Sequence, residues 1–327
     1  MKNLRKILAL AVCLGIAGSL AACGATPAPA PSGDADKTYT VGIIQAVQHE
    51  ALDAATQGFR DVLTEKLGDK VTFDEQNAQG DIPTNATIAN GLVSANVDLI
   101  LANATPSLQA AAAATGEIPV LGTSVTEYGV ALNITDFSGT VGGNVSGTSD
   151  LAPLDQQAAM IQEIFPDAKN VGLLYCSAEP NSLYQVDTVK ALLEDMGYTC
   201  TMYPFADSND LAAIATTAVG ASDVIYVPTD NTVASNTGII DNICRPAGVP
   251  VMAGEKGICA GCGVVTLSID YYDLGRATGE MAYKILTGEA DISTMPIEYA
   301  PNFTKMYNAE ICEALGITVP DDYTAIS

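Results

Sequence analysis

The sequence predicts an α/β protein of two doubly wound parallel-sheet lobes joined by a multi-strand hinge, and three observations carry that prediction. The second half of the chain echoes the first at an offset of about 130 residues. Val41-Gly42-Ile43-Ile44 returns as Val171-Gly172-Leu173-Leu174, and Val97-Asp98-Leu99-Ile100-Leu101 returns as Ser222-Asp223-Val224-Ile225-Tyr226. Ile118-Pro119-Val120-Leu121 returns as Val249-Pro250-Val251-Met252. Each echoed segment is a short apolar run, the pattern of a strand covered on both faces. Polar or Gly-rich residues, and usually a helical pattern, follow each run. That alternation implies right-handed crossovers and parallel sheets. A sheet built twice makes two lobes, and two lobes enclose a cleft.

In the first half, strands are expected over 40–45, 71–75, 98–103 and 120–123, with helices over 52–67, 83–96 and 107–114. The Gly, Ser, Thr and Asn texture of 139–150 reads as a connection. In the second half, strands are expected over 170–175, 199–203, 224–227, 251–253 and 264–269. Helices are expected over 182–196, 210–219 and 232–244, and an amphipathic one over 273–286 is closed by Gly288. From 297 to 315 come a strand-like piece and a short helix. The expected division is a leader over 1–22, a tether over 23–37, a first lobe of 38–147 plus 270–297, and a second lobe of 148–269 plus 298–327.

Lys2, Arg5 and Lys6 precede an apolar stretch over 7–20 that is short for a membrane span. The following Leu20-Ala21-Ala22-Cys23-Gly24 resembles the lipobox of bacterial lipoproteins. That resemblance implies cleavage before Cys23 and acylation of its thiol, a lipid anchor in the membrane; an ordinary secreted chain cut after small residues is the alternative. The Ala/Pro/Ser-rich residues that follow read as a flexible tether.

Apolar residues make up 48% of the chain and charged residues 16%, with a net charge of −24 that becomes −27 without the basic leader. Such an anionic surface argues against nucleic acid or anionic lipid as a direct partner. Beyond Cys13 and Cys23, six cysteines remain, and an exported chain permits disulfides whose pairing the sequence leaves open.

In open parallel sheets ligands bind beyond the carboxyl ends of the strands. The repeat pairs Gln45 with Tyr175, Thr105 with Asp230, and Ser124 with Glu255, each just past a strand. Ala104-Thr105-Pro106-Ser107 has the form of a helix start with Thr105 as cap and Pro106 in the first helical position, either a seat for a carboxylate or a plain cap. Ser124-Val125-Thr126 offers two hydroxyls after the next strand, and Asn181-Ser182 opens another helix. In Thr229-Asp230-Asn231, Asp230 either neutralises a ligand ammonium or caps the following helix, or does both. Glu255 adds a second acid, and Asp270-Tyr271 sits near a lobe crossing, where the tyrosine stacks on a ligand or packs at the hinge.

His49 is the only histidine, and a polar ligand contact or a surface role suits it better than catalysis. No Gly-x-Ser-x-Gly elbow, phosphate loop or His-rich metal site is present in the sequence, so no catalytic residue, cofactor or metal is expected. Cys259-Ala260-Gly261-Cys262 reads as structural thiols or a structural disulfide, because no second close pair completes a zinc site.

Several segments together carry a resemblance. They are Val41-Gly42-Ile43-Ile44-Gln45 with His49, Gln76-Asn77-Ala78-Gln79-Gly80-Asp81, Ala104-Thr105-Pro106, Gly142-Gly143-Asn144-Val145 with Gly147-Thr148-Ser149-Asp150, Tyr226-Val227-Pro228-Thr229-Asp230-Asn231, and Ile269-Asp270-Tyr271-Tyr272-Asp273. On these the chain resembles the substrate-binding lipoproteins of ABC importers, in the tryptophan/tyrosine-type group with the type I periplasmic binding fold. The resemblance implies a monomer, anchored outside the cytoplasm, that closes on a small amino-acid-like solute, aromatic in some relatives. It also implies delivery to a membrane permease driven by a cytoplasmic ATPase. The chain departs from the group at Cys176, at Glu127-Tyr128 and around Cys259. An extracellular enzyme or a ligand sensor on the same scaffold is the alternative.

Overall fold

The computed structural model describes residues 37–326, so the leader, Cys23 and the tether up to residue 36 lie outside the described residues. Chain order begins with β1 (Tyr39–Gln45), α1 (Glu50–Leu67), β2 (Val71–Asn77), α2 (Ile82–Ser94), β3 (Leu99–Asn103), α3 (Thr105–Ala114), β4 (Val120–Val125), α4 (Tyr128–Leu132) and β5 (Val145–Ser149). The strands of this half are parallel, in the order β5-β4-β3-β1-β2. Val41, Ile43 and Ile44 of β1 are all buried because helices cover both faces. On α1, Leu52, Ala55, Phe59, Val62 and Leu63 form the buried stripe, at the three- and four-residue spacing of an amphipathic helix.

The second half contains α5 (Leu154–Ile164), β6 (Asn170–Cys176), α6 (Pro180–Asp195), β7 (Thr199–Phe205), α7 (Ser208–Val219), β8 (Val224–Val227), α8 (Asn231–Ala234), α9 (Thr237–Ala247), β9 (Val251–Ala253), α10 (Lys256–Cys262) and β10 (Val265–Ser268). Its sheet runs β10-β9-β8-β6-β7, the same order as β5-β4-β3-β1-β2. The sequence repeat is therefore a repeat of topology.

The chain then returns to the first lobe as α11 (Tyr271–Leu286) and β11 (Glu298–Tyr299), which pairs with β5. It ends in the second lobe as β12 (Thr304–Tyr307), α12 (Ala309–Leu315) and β13 (Thr324–Ala325). The chain thus passes between the sheets three times, after Ser149, after Ser268 and after Tyr299. Thr148, Ser149, Glu298 and Tyr299 stay in the first sheet, two residues past the expected boundaries at 147 and 297.

The structure also contains α4, α5, α10 and β13, which the sequence reading does not include, and it differs from expectation at two further places. β5 lies where a connection was expected, because Val145-Ser146-Gly147-Thr148-Ser149 carries no apolar run. It must be small: a Cβ on Gly147, at φ 149°, would stand 2.1 Å from the Gly122 carbonyl oxygen and 2.4 Å from the Tyr128 hydroxyl. The single helix expected over 232–244 is two, broken at Ser235-Asn236, whose side chains bond back to the carbonyls of Asn231 and Thr232. Cys259 and Cys262 lie on α10, and all six thiols of the described residues are unpaired. No helix among the described residues is long and apolar enough to cross a membrane.

Candidate functional site

The carboxyl ends of the two central sheet regions face each other, and side chains meet across the gap. His49 Nε2 lies 3.2 Å from Asn231 Oδ1. Lys256 at the start of α10 pairs with Glu50 of α1 at 3.1 Å. Burial holds the His49 imidazole below its usual pKa, so it meets Asn231 as a neutral ring. The two lobes are shut.

On the first-lobe side, α3 begins without a side-chain cap. The cap position belongs to Ala104, at φ 81°, and not to Thr105, which is the first helical residue with Pro106 second. Pro106 has no N–H, so the amides of Thr105 and Ser107 are the open donors of this terminus. Beside it, β4 slips its pairing between Gly122 and Val125, and Ser124 is held at φ 53°, a left-handed conformation that costs a non-glycine residue about 1 kcal/mol or more. The Ser124 hydroxyl is buried with no hydrogen-bond partner. Val125 packs into the first-lobe core and brings no polar group. Gln45 is occupied within its own lobe, donating to Asp53 (2.6 Å) and Val47 and accepting from Thr56.

The hinge supplies an acid that sequence reasoning passes over. Asp150, just after β5, accepts a hydrogen bond from the Tyr271 hydroxyl (3.0 Å), while its Oδ1 is buried with no partner. Burial raises its carboxyl to about 6. The bond joins Tyr271, the first residue of α11, to the residue that follows β5. Asp270 is exposed and caps α11 through the Asp273 amide, outside this cluster.

On the second-lobe side the acids serve helix ends. Asp230 Oδ1 accepts from the Val233 amide (2.9 Å) and Oδ2 from the Cys176 amide (2.7 Å). Burial and the neighbouring Glu179 raise its pKa. Of the two roles the sequence leaves open for Asp230, the cap is the one its bonds display. Asp230→Ala is expected to lower the urea midpoint by the equivalent of about 1–2 kcal/mol, a capping loss, whether or not ligand is present. Glu255 caps α10 through the amides of Gly257 and Ile258, and burial raises it to about 7.

Glu179 is a second acid the sequence does not mark. It accepts from the amides of Asn231 (3.1 Å) and Thr232 (2.9 Å), from the Asn231 side chain and from the Thr232 hydroxyl. Asn181 donates to Glu179, Ser182 and the Thr229 carbonyl, leaving its own Oδ1 buried without a partner.

Among the buried side-chain atoms without a partner are Ser124 Oγ from one lobe, Asn181 Oδ1 from the other, and Asp150 Oδ1 from the hinge. Asp150, Asp230 and Glu255 are 4%, 1% and 2% exposed, too little for water to solvate their charge. Such a site favours a small solute that brings its own cation and its own acceptor. A cavity of about 360 Å³ is lined by loops of both lobes, among them Ala46, Pro106, Glu179 and Asn231. Among the described residues, no group of three or more His, Cys, Asp or Glu is placed to hold a metal.

Residues 40–326 match the family described as ABC transporter substrate binding protein. The chain is similar to the tyrosine-binding protein of Clostridioides difficile (strain R20291), at 35% identity over 285 residues, covering 86% of this chain and 82% of that protein. It is also similar to the ABC domain from Streptococcus pneumonia in complex with L-Trp, at 32% identity and a TM-score of 0.85, covering 89% of this chain and 100% of that one. A ligand-free, open structure of a Clostridium difficile substrate-binding protein with adhesive properties is 37% identical, covers 89% of this chain and 99% of that one, and has a TM-score of 0.68. The open relative has the higher identity and the poorer superposition, as expected when the lobes here are shut. With two lobes of repeated topology and three crossings between them, this chain has the type I periplasmic binding fold and belongs to the ABC transporter substrate-binding protein family.

Proposed function

We propose that this protein is the extracytoplasmic receptor of an ABC importer, tethered to the membrane through acylated Cys23, and that it captures an aromatic α-amino acid between its lobes for delivery to a permease. The observation that carries this reading is the set of unsatisfied buried atoms contributed by both lobes and the hinge. The solute carboxylate takes the open Thr105 and Ser107 amides with the Ser124 hydroxyl, at the positive end of α3. Its ammonium takes Asp150 Oδ1, with Glu255 contributing through its charge. Asn181 supplies a further acceptor from the second lobe. Thr229, Ser182 and Asn231 hold the second-lobe wall in shape, and His49 closes on Asn231.

Only the shut form offers both sets of partners, so binding energy drives closure and the protein acts as a monomer whose shape reports occupancy. The tyrosine-binding and L-Trp-bound relatives support the amino-acid class. Isothermal titration calorimetry with L-tyrosine, L-tryptophan and L-phenylalanine is expected to give one site, with at least one Kd at or below the micromolar range. Binding that survives removal of the α-amino group, as with an aryl propionate, contradicts the ammonium seat.

A further inference from the structure

Glu179 is buried and commits both carboxylate oxygens inside the second lobe. Oε1 accepts from the amide and the hydroxyl of Thr232. Oε2 accepts from the Asn231 amide (3.1 Å) and from Asn231 Nδ2 (2.6 Å). Four donors point at this one group, so it is the acceptor in every bond. That leaves the Asn231 side-chain amide a single orientation, with Nδ2 toward Glu179 and Oδ1 toward the first lobe.

The group that meets this oxygen across the cleft is His49 Nε2, at 3.2 Å. His49 occupies the cap position of α1, yet its side chain makes no cap bond there. The imidazole reaches to the other lobe instead. Burial keeps it neutral, and a neutral ring has one N–H. Opposite a carbonyl oxygen that can only accept, that proton sits on Nε2. Donation therefore runs one way, from His49 to Asn231 and from Asn231 to Glu179. The neighbouring Lys256–Glu50 pair also joins the lobes, but its side chains are 36% and 59% exposed, where an ion pair contributes little.

We propose that Glu179 is a positioning residue for solute release: it fixes the Asn231 amide so that its oxygen meets the His49 Nε2–H when the lobes shut, and this latch slows their reopening. The inference rests on the reading of a solute captured between the lobes and deepens it, since no atom of the latch needs to touch the solute. In the open form water serves both His49 and Asn231. Solute enters before the contact forms and leaves only after it breaks, so the effect falls on the dissociation rate.

Stopped-flow release of L-tryptophan tests it, and because the chain contains no Trp the indole signal belongs to the solute. His49→Leu is expected to raise the dissociation rate about tenfold and to change the association rate by less than about twofold. His49→Gln, whose side-chain nitrogen is also a donor, should recover most of that loss. Glu179→Gln should raise the dissociation rate about fivefold in the natural chain, but by less than about twofold when His49 is already Leu. Equal effects in the two backgrounds overturn the inference, because a residue that only braces α8 acts with or without His49. The chain has a single histidine, so the nitrogen NMR spectrum of the untagged protein reads its tautomer directly. One Nε2–H form is expected, and an Nδ1–H ring or a mixture of the two overturns the inference even where Glu179→Gln does not fold. Should L-tryptophan not bind, the tautomer decides this inference alone, while calorimetry with the other amino acids decides the reading beneath it.

Discussion

Asp150→Asn is expected to bind aromatic amino acids about 100-fold more weakly than the natural chain, while melting at a higher temperature without ligand. Both effects come from one buried oxygen. The carboxylate is held by Tyr271 on one oxygen and is unsatisfied on the other. In the empty protein that charge is a desolvation cost, and removing it is expected to return about 1–3 kcal/mol. In the complex the same charge faces the solute ammonium, and an amide cannot replace it.

The pH dependence follows from the same groups. Burial raises Asp150 to about 6 and Glu255 to about 7, whereas in the unfolded chain such carboxyls ionise near pH 4. The folded state therefore holds these protons more tightly. Their stabilising contribution is full below about pH 4 and is lost as pH rises through 6 and 7. Asp230, also raised, acts in the same direction, and His49, lowered by burial, opposes with a single proton. The melting temperature of the empty protein should fall between about pH 4 and pH 7. Affinity for the amino acid should rise over the same interval, because the ammonium binds the ionised form.

The second large effect is remote from the ligand. Gly275 and Gly58 let α11 and α1 cross at backbone contact. A Cβ on Gly275 would stand 2.0 Å from the Ala55 carbonyl oxygen, and one on Gly58 would stand 2.1 Å from that of Tyr272. Backbone cannot yield as a side-chain end can, so Gly275→Ala should cost about 3 kcal/mol and lower the melting temperature by about 10 °C. Gly91→Ala is the control: it sits inside α2 with open space around it, and should be neutral or gain up to about 1 kcal/mol. Because α11 begins at Tyr271, displacing it also pulls the tyrosine from Asp150. Gly275→Ala is therefore expected to weaken ligand binding, which Gly91→Ala leaves unchanged.

How much of this was legible before any coordinates depends on the kind of signal. The repeat that begins at Val41 and Val171 placed six strands, β1, β3, β4, β6, β8 and β9, because buried parallel strands must be apolar on both faces. β5 hid in the same sequence, since close approach to Gly122 and Tyr128 demands small residues that look like a loop. Thr105, Ser124 and Glu255 were readable as positions just past strands, and Asn181 as a helix start. Their individual roles were not, since a cap and a ligand contact use the same residue types. Asp150 follows a strand that carries no strand signature, and Glu179 precedes a proline in what reads as a turn. The pairing of His49 with Asn231 joins residues 182 positions apart, which no local pattern encodes.

The most direct test is a crystal structure of the protein grown with L-tyrosine or L-tryptophan. The account places the ammonium nitrogen within hydrogen-bond distance of Asp150 Oδ1 and the carboxylate against the Thr105 amide and the Ser124 hydroxyl. A solute seated between the lobes with its ammonium on another acid, and Asp150 left without a partner, would contradict it.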